Sequence, residues 1–177
     1  MVDEFWRQYN QYRFALFYHE YERSFLNNIA TWTSVVSYAI TAASLIWWSI
    51  LQQYELIWAI LIFASQIAGN YKDQFQLGKR IWSLDAYTSH ASQEINKMSE
   101  TWRQIYLGKL SDEEIFEKIS ASSVVFSDIS EKYIRPFSAR EYTRLIKKAD
   151  EKTNRQMVAD HGKGEDIVYA KQQPASG

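Results

Sequence analysis

The stretch that decides the fold is residues 24–54, SFLNNIATWTSVVSYAITAASLIWWSILQQY, which contain no Lys, Arg, Asp or Glu. After Glu55, residues 56–71, LIWAILIFASQIAGNY, are uncharged again. A bilayer core about 30 Å thick is crossed by about 20 mostly apolar residues in a helix. The stretch can supply two such helices with almost no connection between them. It therefore predicts a transmembrane hairpin.

Aromatic residues indicate where the two spans lie. We place the first span at about 29–51 and the second at about 53–71, joined by a turn around Glu55. Amphipathic aromatic side chains concentrate at the two headgroup levels of a bilayer. The aromatic residues near the predicted span ends are Trp32, Trp47, Trp48, Tyr54, Trp58 and Tyr71. The short turn allows only an antiparallel return.

The basic residues around the hairpin predict its orientation. The turn has none, whereas both outer flanks carry them: Arg7, Arg13, Arg23, Lys72, Lys79 and Arg80. The positive-inside rule then places both termini in the cytoplasm. Asp3 and Glu4 precede the first Arg, and charges continue up to the hairpin, so we expect no signal peptide and a first span that is retained.

Composition excludes several function classes. Twenty basic and twenty-one acidic residues nearly cancel, and no basic face predicts direct binding of nucleic acid. The absence of cysteine excludes disulfides and thiolate catalysis. His19, His90 and His161 are scattered, and no phosphate loop, nucleophile elbow or dinucleotide motif occurs. We therefore expect no enzyme, no metal and no cofactor. Two prolines and six glycines favour an all-α chain.

The rest of the chain is predicted to form helices outside the membrane. Residues 1–28 have the period of an amphipathic, aromatic-rich helix. Residues 72–135 form a helical hairpin, in which Gly108 ends the first helix and Ser111 with Glu114 opens the second as a capping box. Ser138 and Glu141 predict another capping box for a polar helix within 136–156. Residues 157–177 are predicted to be a flexible tail.

A heptad-like stripe in the first helix of that hairpin predicts a seam with another helix. Its apolar members alternate spacings of four and three, and a matching stripe from Ile115 to Tyr133 follows in the second helix. Packing of the hairpin is the simplest purpose of both stripes. The first stripe is also the candidate assembly seam of a homo-oligomer: Leu77, Ile81, Leu84, Ile95, Met98, Trp102 and Ile105.

Small and polar residues form one face of each predicted span. Membrane helices associate through such residues, so helix packing is the favoured interpretation for a single hairpin. Two helices cannot enclose a pore, but after oligomerisation the same faces could line a polar path. Gln66 is the most polar group in either span and should face protein or water. The candidate packing or pore-lining residues are Thr33, Ser37, Thr41, Ser44, Ser65, Gln66 and Gly69.

The layout of Tyr18–Phe25, Ile29–Leu51, Leu56–Tyr71 and Lys72–Gly108 resembles the SLATT domains, the two-transmembrane effector domains of bacterial nucleotide-signalled conflict systems. The resemblance is one of architecture and residue character. It implies a toxic effector of anti-phage defence that oligomerises and breaches the bacterial inner membrane. It also implies a regulatory or signal-generating partner, such as a nucleotidyltransferase, a nucleotide sensor or a reverse transcriptase. It transfers no catalytic residue.

Two other interpretations stay open. The chain could be a non-conducting membrane anchor or scaffold that holds a cytoplasmic partner at the bilayer. Alternatively, the uncharged stretch could be the buried centre of a large soluble helical assembly.

Overall fold

The computed structural model describes residues 1–51, 60, 63, 77–137 and 141–161, the side chains of 41, 43–51, 160 and 161 excepted. This part of the chain contains no strand, which confirms the all-α prediction. Its helices are α1 (Val2–Leu51), α2 (Leu77–Tyr106), α3 (Asp112–Tyr133) and α4 (Thr143–His161). The chain separates into two compact units. We call Met1–Glu22 with Ser83–Gly177 the core unit, and Arg23–Trp82 the insert.

Helix α1 continues through Asn27 and Asn28, so the amphipathic helix predicted at 1–28 runs on into the residues of the predicted first span. Its first turns belong to the core unit because their aromatic residues recur at helical spacing on one face. Phe5 and Tyr9 on that face are fully buried. The N-terminal segment is therefore a central element of the core unit.

The connection between α2 and α3 folds as its local sequence predicts. Gly108 has a φ of 66°, in the left-handed region that glycine adopts most easily. Its N–H donates to Ile105 O (2.9 Å) and the Lys109 N–H donates to Gln104 O (3.0 Å), the paired bonds of a Schellman motif. Ser111 and Glu114 then form the predicted capping box at the start of α3. Both local predictions are confirmed.

The core of this unit forms where α1, α2 and α3 meet. Trp102 of α2 stacks on Phe5 of α1 with ring centroids 6.2 Å apart. Phe126 of α3 stacks on Tyr12 of α1 with centroids 3.8 Å apart and ring planes 11° from parallel. The α2 and α3 stripes thus pack on the aromatic face of α1 as well as on each other.

Helix α4 packs along α1. Its N-terminal end is joined to α1 by the Tyr142 N–H, which donates to Tyr18 Oη at 3.4 Å. Near its other end, Arg13 Nη1 donates to Met157 Sδ at 3.3 Å. Residues 141 and 142 precede the helix, while Ser138 of the predicted capping box lies outside the described residues. The helix continues past the predicted limit of 156 to His161, because Met157 is buried in the core.

Candidate functional site

Most large apolar side chains in the described part of the insert are exposed. In α1, Trp32 is 68% exposed and Tyr38 is 76% exposed, and Val35 and Val36 are each about half exposed. Beyond α1, Ile60 and Phe63 are exposed as well. On α1, Trp32, Val35 and Val36 are neighbours by helical spacing. An exposed apolar patch of this kind is typical of a site that contacts lipid or another protein.

Small and hydroxylated side chains of the same helix section are half-buried. Ala30, Thr33, Ser34 and Ser37 recur three and four residues apart, which places them on one helix face. The exposed residues Val35, Val36 and Tyr38 lie between and beyond them in sequence. This part of the insert therefore has the opposite polarity from a water-exposed helix, which buries its large apolar residues.

The hydroxyl groups of this section are satisfied by the helix itself. Thr33 Oγ1 donates to Ile29 O at 2.8 Å, and Ser37 Oγ donates to Thr33 O at 2.8 Å. Thr31 and Ser34 donate to the carbonyl oxygens of Asn27 and Ala30 in the same way, both at 2.9 Å. The hydroxyl donor of each of these side chains therefore has an acceptor within its own helix.

Only two of the candidate packing or pore-lining residues have described side chains. Thr33 and Ser37 share the half-buried face, as their spacing predicts. The side chains of Thr41 and Ser44 lie outside the described part of the chain, as do Ser65, Gln66 and Gly69 and the predicted second span around them. Among the residues that the structure describes, we find no helix with the length and apolar character needed to cross a membrane.

The candidate assembly seam lies largely inside the single chain. Leu84, Ile95, Met98, Trp102 and Ile105 are buried in the core unit. In the insert, Leu77 is buried and Ile81 is half-buried. Four of the seven residues belong to the same core cluster as Phe5 and Tyr9. The stripe thus supplies contacts within one chain, and these contacts already cover its apolar surface.

A pair of polar side chains lies within the otherwise apolar interface between α2 and α3. Ser122 Oγ of α3 donates to Glu94 Oε1 of α2 at 3.3 Å, and both residues are buried. Lys97 Nζ donates to the other carboxylate oxygen of Glu94 at 2.9 Å. The spacing of α3 placed Ser122 on the buried stripe, but nothing in the sequence singled out Glu94 as its partner.

A second polar cluster joins α1 to α2 within the core unit. His19 Nδ1 lies 3.0 Å from Glu22 Oε2, and Glu22 is buried. The His19 ring contacts Tyr87 edge-on at a centroid distance of 4.7 Å. Burial raises the pKa of Tyr87 to about 12, against the lowering effect of its hydrogen bond with Ser130. Burial also raises the pKa of Tyr18.

This cluster has the character of a structural contact. Each of its aromatic rings packs on a neighbour, and its histidine contacts one carboxylate. Within the described ranges, no group of three His, Cys, Asp or Glu side chains could hold a metal ion. The candidate functional surface with the clearest chemical character is therefore the set of exposed apolar side chains of the insert.

Comparison with known proteins adds no relative. No family model, no curated protein and no solved structure matches this chain. The function must be inferred from the residues and their arrangement alone.

Sequence reasoning missed one further surface. Exposed basic side chains gather around the end of α3 and the start of α4, far from the predicted spans in sequence. Their enrichment is visible as a local excess of Lys and Arg between residues 132 and 148. The totals of basic and acidic residues nearly cancel over the whole chain, so they do not show this local excess.

Proposed function

We propose that this chain is a membrane effector of the bacterial inner membrane, whose insert lies in the bilayer and permeabilises or depolarises it after activation. The observation that supports this proposal is that α1 exposes its large apolar side chains between Trp32 and Tyr38. Exposed apolar area costs about 25 cal/mol per Å² in water, and the same area is favourable in lipid. A helix section that exposes Trp32, Val35 and Val36 therefore fits a lipid environment.

The hydroxyl groups support the same environment. In hydrocarbon, an unsatisfied polar group costs several kcal/mol, by order of magnitude. Thr33 and Ser37 avoid this cost because each donates to a carbonyl oxygen of its own helix. The composition of residues 24–71 and the SLATT resemblance agree with two spans, with both termini in the cytoplasm.

Permeabilisation by two-span chains requires a homo-oligomer. Because the α2 stripe from Leu84 to Ile105 is buried in the core unit, we place the assembly surface on exposed residues instead. Activation would come from a regulatory or signal-generating defence protein, as the resemblance suggests. In this proposal no nucleic acid binds directly.

A non-conducting membrane anchor is the second candidate function. The half-buried position of Thr33, Ser34 and Ser37 favours it, since hydroxylated faces are common where membrane helices pack together. In this function the insert holds the core unit, and any partner bound to it, at the membrane surface.

Lysine substitutions test whether the insert faces lipid. A lysine at the centre of a spanning helix costs about 3 kcal/mol of insertion free energy. We expect Val36→Lys to reduce the fraction of the chain that resists extraction from membranes by alkaline carbonate. Val124→Lys is the matched control, because Val124 is similarly exposed but lies on α3 of the core unit. Equal retention of both variants would show that Val36 does not face lipid, and complete extraction of the unmodified chain would refute membrane insertion.

Membrane potential separates the effector from the anchor. Expression in bacteria should collapse the potential reported by a voltage-sensitive dye and arrest growth under activating conditions. A chain that is retained in the membrane while the potential persists would favour the anchor. Substitutions then locate any polar path: Thr33→Leu, Ser37→Leu, Thr41→Leu and Gln66→Leu should alter toxicity more than Val36→Leu. Equal effects on all faces would exclude the pore-lining assignment.

A further inference from the structure

Positive charge is concentrated in one short segment of this nearly neutral chain. Residues 132–148 contain six of the twenty basic residues and one of the twenty-one acidic residues. The remainder of the chain, with fourteen basic and twenty acidic residues, is therefore acidic. Charge asymmetry of this kind points to an anionic partner.

Five of the six basic side chains lie in the described part of the chain, and all five are exposed. Two are at the end of α3, where Arg135 pairs with the exposed Glu131 at 2.7 Å. The three on α4 make no ion pair with any described residue. We call this set the basic end of the core unit: Lys132, Arg135, Arg144, Lys147 and Lys148.

Tertiary contacts place the end of α3 beside the start of α2. Ser83 Oγ donates to Tyr133 O, and the His90 ring stacks on Tyr133 with centroids 5.5 Å apart. Lys132 Nζ lies 5.1 Å from the centre of the same Tyr133 ring. The α3 part of the basic end therefore lies where α2 begins within the core unit.

Other contacts place the start of α4 beside α1. The Tyr142 N–H bonds to Tyr18 Oη, and further along α4 Lys152 Nζ donates to Glu20 Oε2 at 2.8 Å. His19 in turn contacts Tyr87 of α2. All these contacts are at one end of the core unit, where the chain leaves it after Glu22 and returns to it at Ser83.

We propose that the basic end binds the headgroups of anionic phospholipids. This inference rests on the proposed function. A bilayer lies near the end of the core unit where the chain leaves and returns only if residues 23–82 are inserted in it. The cytoplasmic leaflet is negatively charged, and each nearby Lys or Arg contributes about 1 kcal/mol of attraction, or roughly fivefold in equilibrium. The acidic groups at this end are Glu20, Glu22, Asp85, Asp128, Glu131 and Glu141. Glu20 pairs with Lys152, Glu131 pairs with Arg135, and Glu22 contacts His19. Residues 141–148 contain three basic residues and one acidic residue, so the start of α4 keeps a net positive charge.

Headgroup binding would hold the core unit against the membrane. The attraction acts over about a Debye length, close to 8 Å at physiological salt. It should consequently weaken at high ionic strength, while insertion of the apolar residues persists. The ratio of membrane-bound to released core units would then depend on the charge of the lipids.

A fluorescence experiment on the full chain can measure this binding. The chain has no cysteine, so Thr143→Cys provides a single labelling site at the start of α4. The labelled chain is reconstituted into vesicles of phosphatidylcholine, or of equal parts phosphatidylcholine and phosphatidylglycerol, containing headgroup-linked nitroxide quenchers. We expect stronger quenching with phosphatidylglycerol, and no such difference for a label at Lys109→Cys in the α2–α3 turn.

Charge substitutions provide the matched comparison. Replacing Arg144, Lys147 and Lys148 together by glutamine should lower the bound-to-released ratio about fivefold per residue. The control replaces Arg103, Lys109 and Lys118, near the opposite ends of α2 and α3, and should leave quenching at residue 143 unchanged.

Three outcomes separate the alternatives. A chain that resists carbonate extraction but shows no lipid-dependent quenching would overturn headgroup binding and leave the proposed function intact. A chain that carbonate extracts would overturn the proposed function itself. Binding of a labelled single-stranded oligonucleotide that depends on Arg144, Lys147 and Lys148, without dependence on phosphatidylglycerol, would assign the basic end to nucleic acid and refute our inference.

Discussion

Ser122 Oγ donates a hydrogen bond to Glu94 Oε1 across the interface of α2 and α3, at a distance of 3.3 Å. Glu94 is 7% exposed and Ser122 is 7% exposed, so the bond is inside the core unit. Lys97 completes the arrangement from the surface by donating to the second carboxylate oxygen. A carboxylate at such a position is tolerated only while its donors are present. A shift of α3 along α2 would remove one of them.

We therefore expect Ser122→Ala to lower the free energy of unfolding by about 1–3 kcal/mol, because it removes one partner of a buried charged group. The double variant with Glu94→Leu should lose less than the sum of the two single variants. Denaturant unfolding followed by circular dichroism, carried out in one detergent for all variants, gives the coupling energy. Additive losses within about 0.5 kcal/mol would show that the two side chains do not interact.

Two glycines allow a matched test of backbone conformation. Gly108→Ala should destabilise the chain by about 1 kcal/mol, because alanine disfavours the left-handed conformation at φ 66°. Gly78→Ala, in the first turn of α2, should stabilise it by up to about 0.5 kcal/mol through higher helix propensity. Both positions have open space for the added methyl group. Thermal unfolding measures both changes, and the same sign at both positions would contradict the expectation.

Phe5 tests the place of the N-terminal segment in the core. Its side chain is fully buried against Trp102, so Phe5→Ala should cost about 3–5 kcal/mol of unfolding free energy. Phe116→Ala provides the control, because Phe116 on α3 is 53% exposed and its loss should change stability by less than about 0.5 kcal/mol. Similar denaturation midpoints for the two variants would show that residues near the N-terminus do not belong to the core.

The pKa of Tyr87 predicts a loss of stability in alkali. Since its pKa is about 12 in the folded chain and about 10 when unfolded, the unfolded state releases the proton first as pH rises. The contribution is complete below about pH 10, and about 3 kcal/mol is lost between about pH 10 and 12. Denaturant unfolding across this range measures the slope.

Tyr87→Phe is the control for this pH dependence. It should be about 1 kcal/mol less stable near neutral pH, because the bond to Ser130 is lost. Its stability should then fall less steeply than that of the unmodified chain between about pH 10 and 12. An unchanged slope would assign the alkaline loss to other tyrosines.

Local sequence was sufficient for the turn between α2 and α3. Gly108 and the pair Ser111 and Glu114 act over three to six residues, through hydrogen bonds whose donors and acceptors are neighbours in the chain. The stripe from Ile115 to Tyr133 was predictable for a similar reason, since the period of a helix fixes which residues share a face. The buried residues of α3 follow that stripe.

Tertiary contacts decided what local patterns left open. The end of α4 extends past its predicted limit because Met157 reaches the core, which no local signal indicates. The α2 stripe predicted that another surface would cover it, yet the spacing alone could not show that α1 and α3 of the same chain do so. Phe5 of α1 stacks on Trp102 of that stripe, and Tyr12 stacks on Phe126 of α3, in both cases across about a hundred residues of sequence.

The sequence by itself determined the helical class, the helix caps and the two uncharged stretches at 24–54 and 56–71, because each depends on neighbouring residues and their periodicity. Only the tertiary structure decided which faces of the helices are buried and which are exposed. In the folded chain Trp32 and Val36 are exposed, whereas Thr33 and Ser37 are half-buried. Folding also brings Lys147 and Lys148 to the end of the core unit where the chain leaves and returns. The physical reason is that burial and local charge density depend on which distant segments come together, and packing selects those segments over the whole chain.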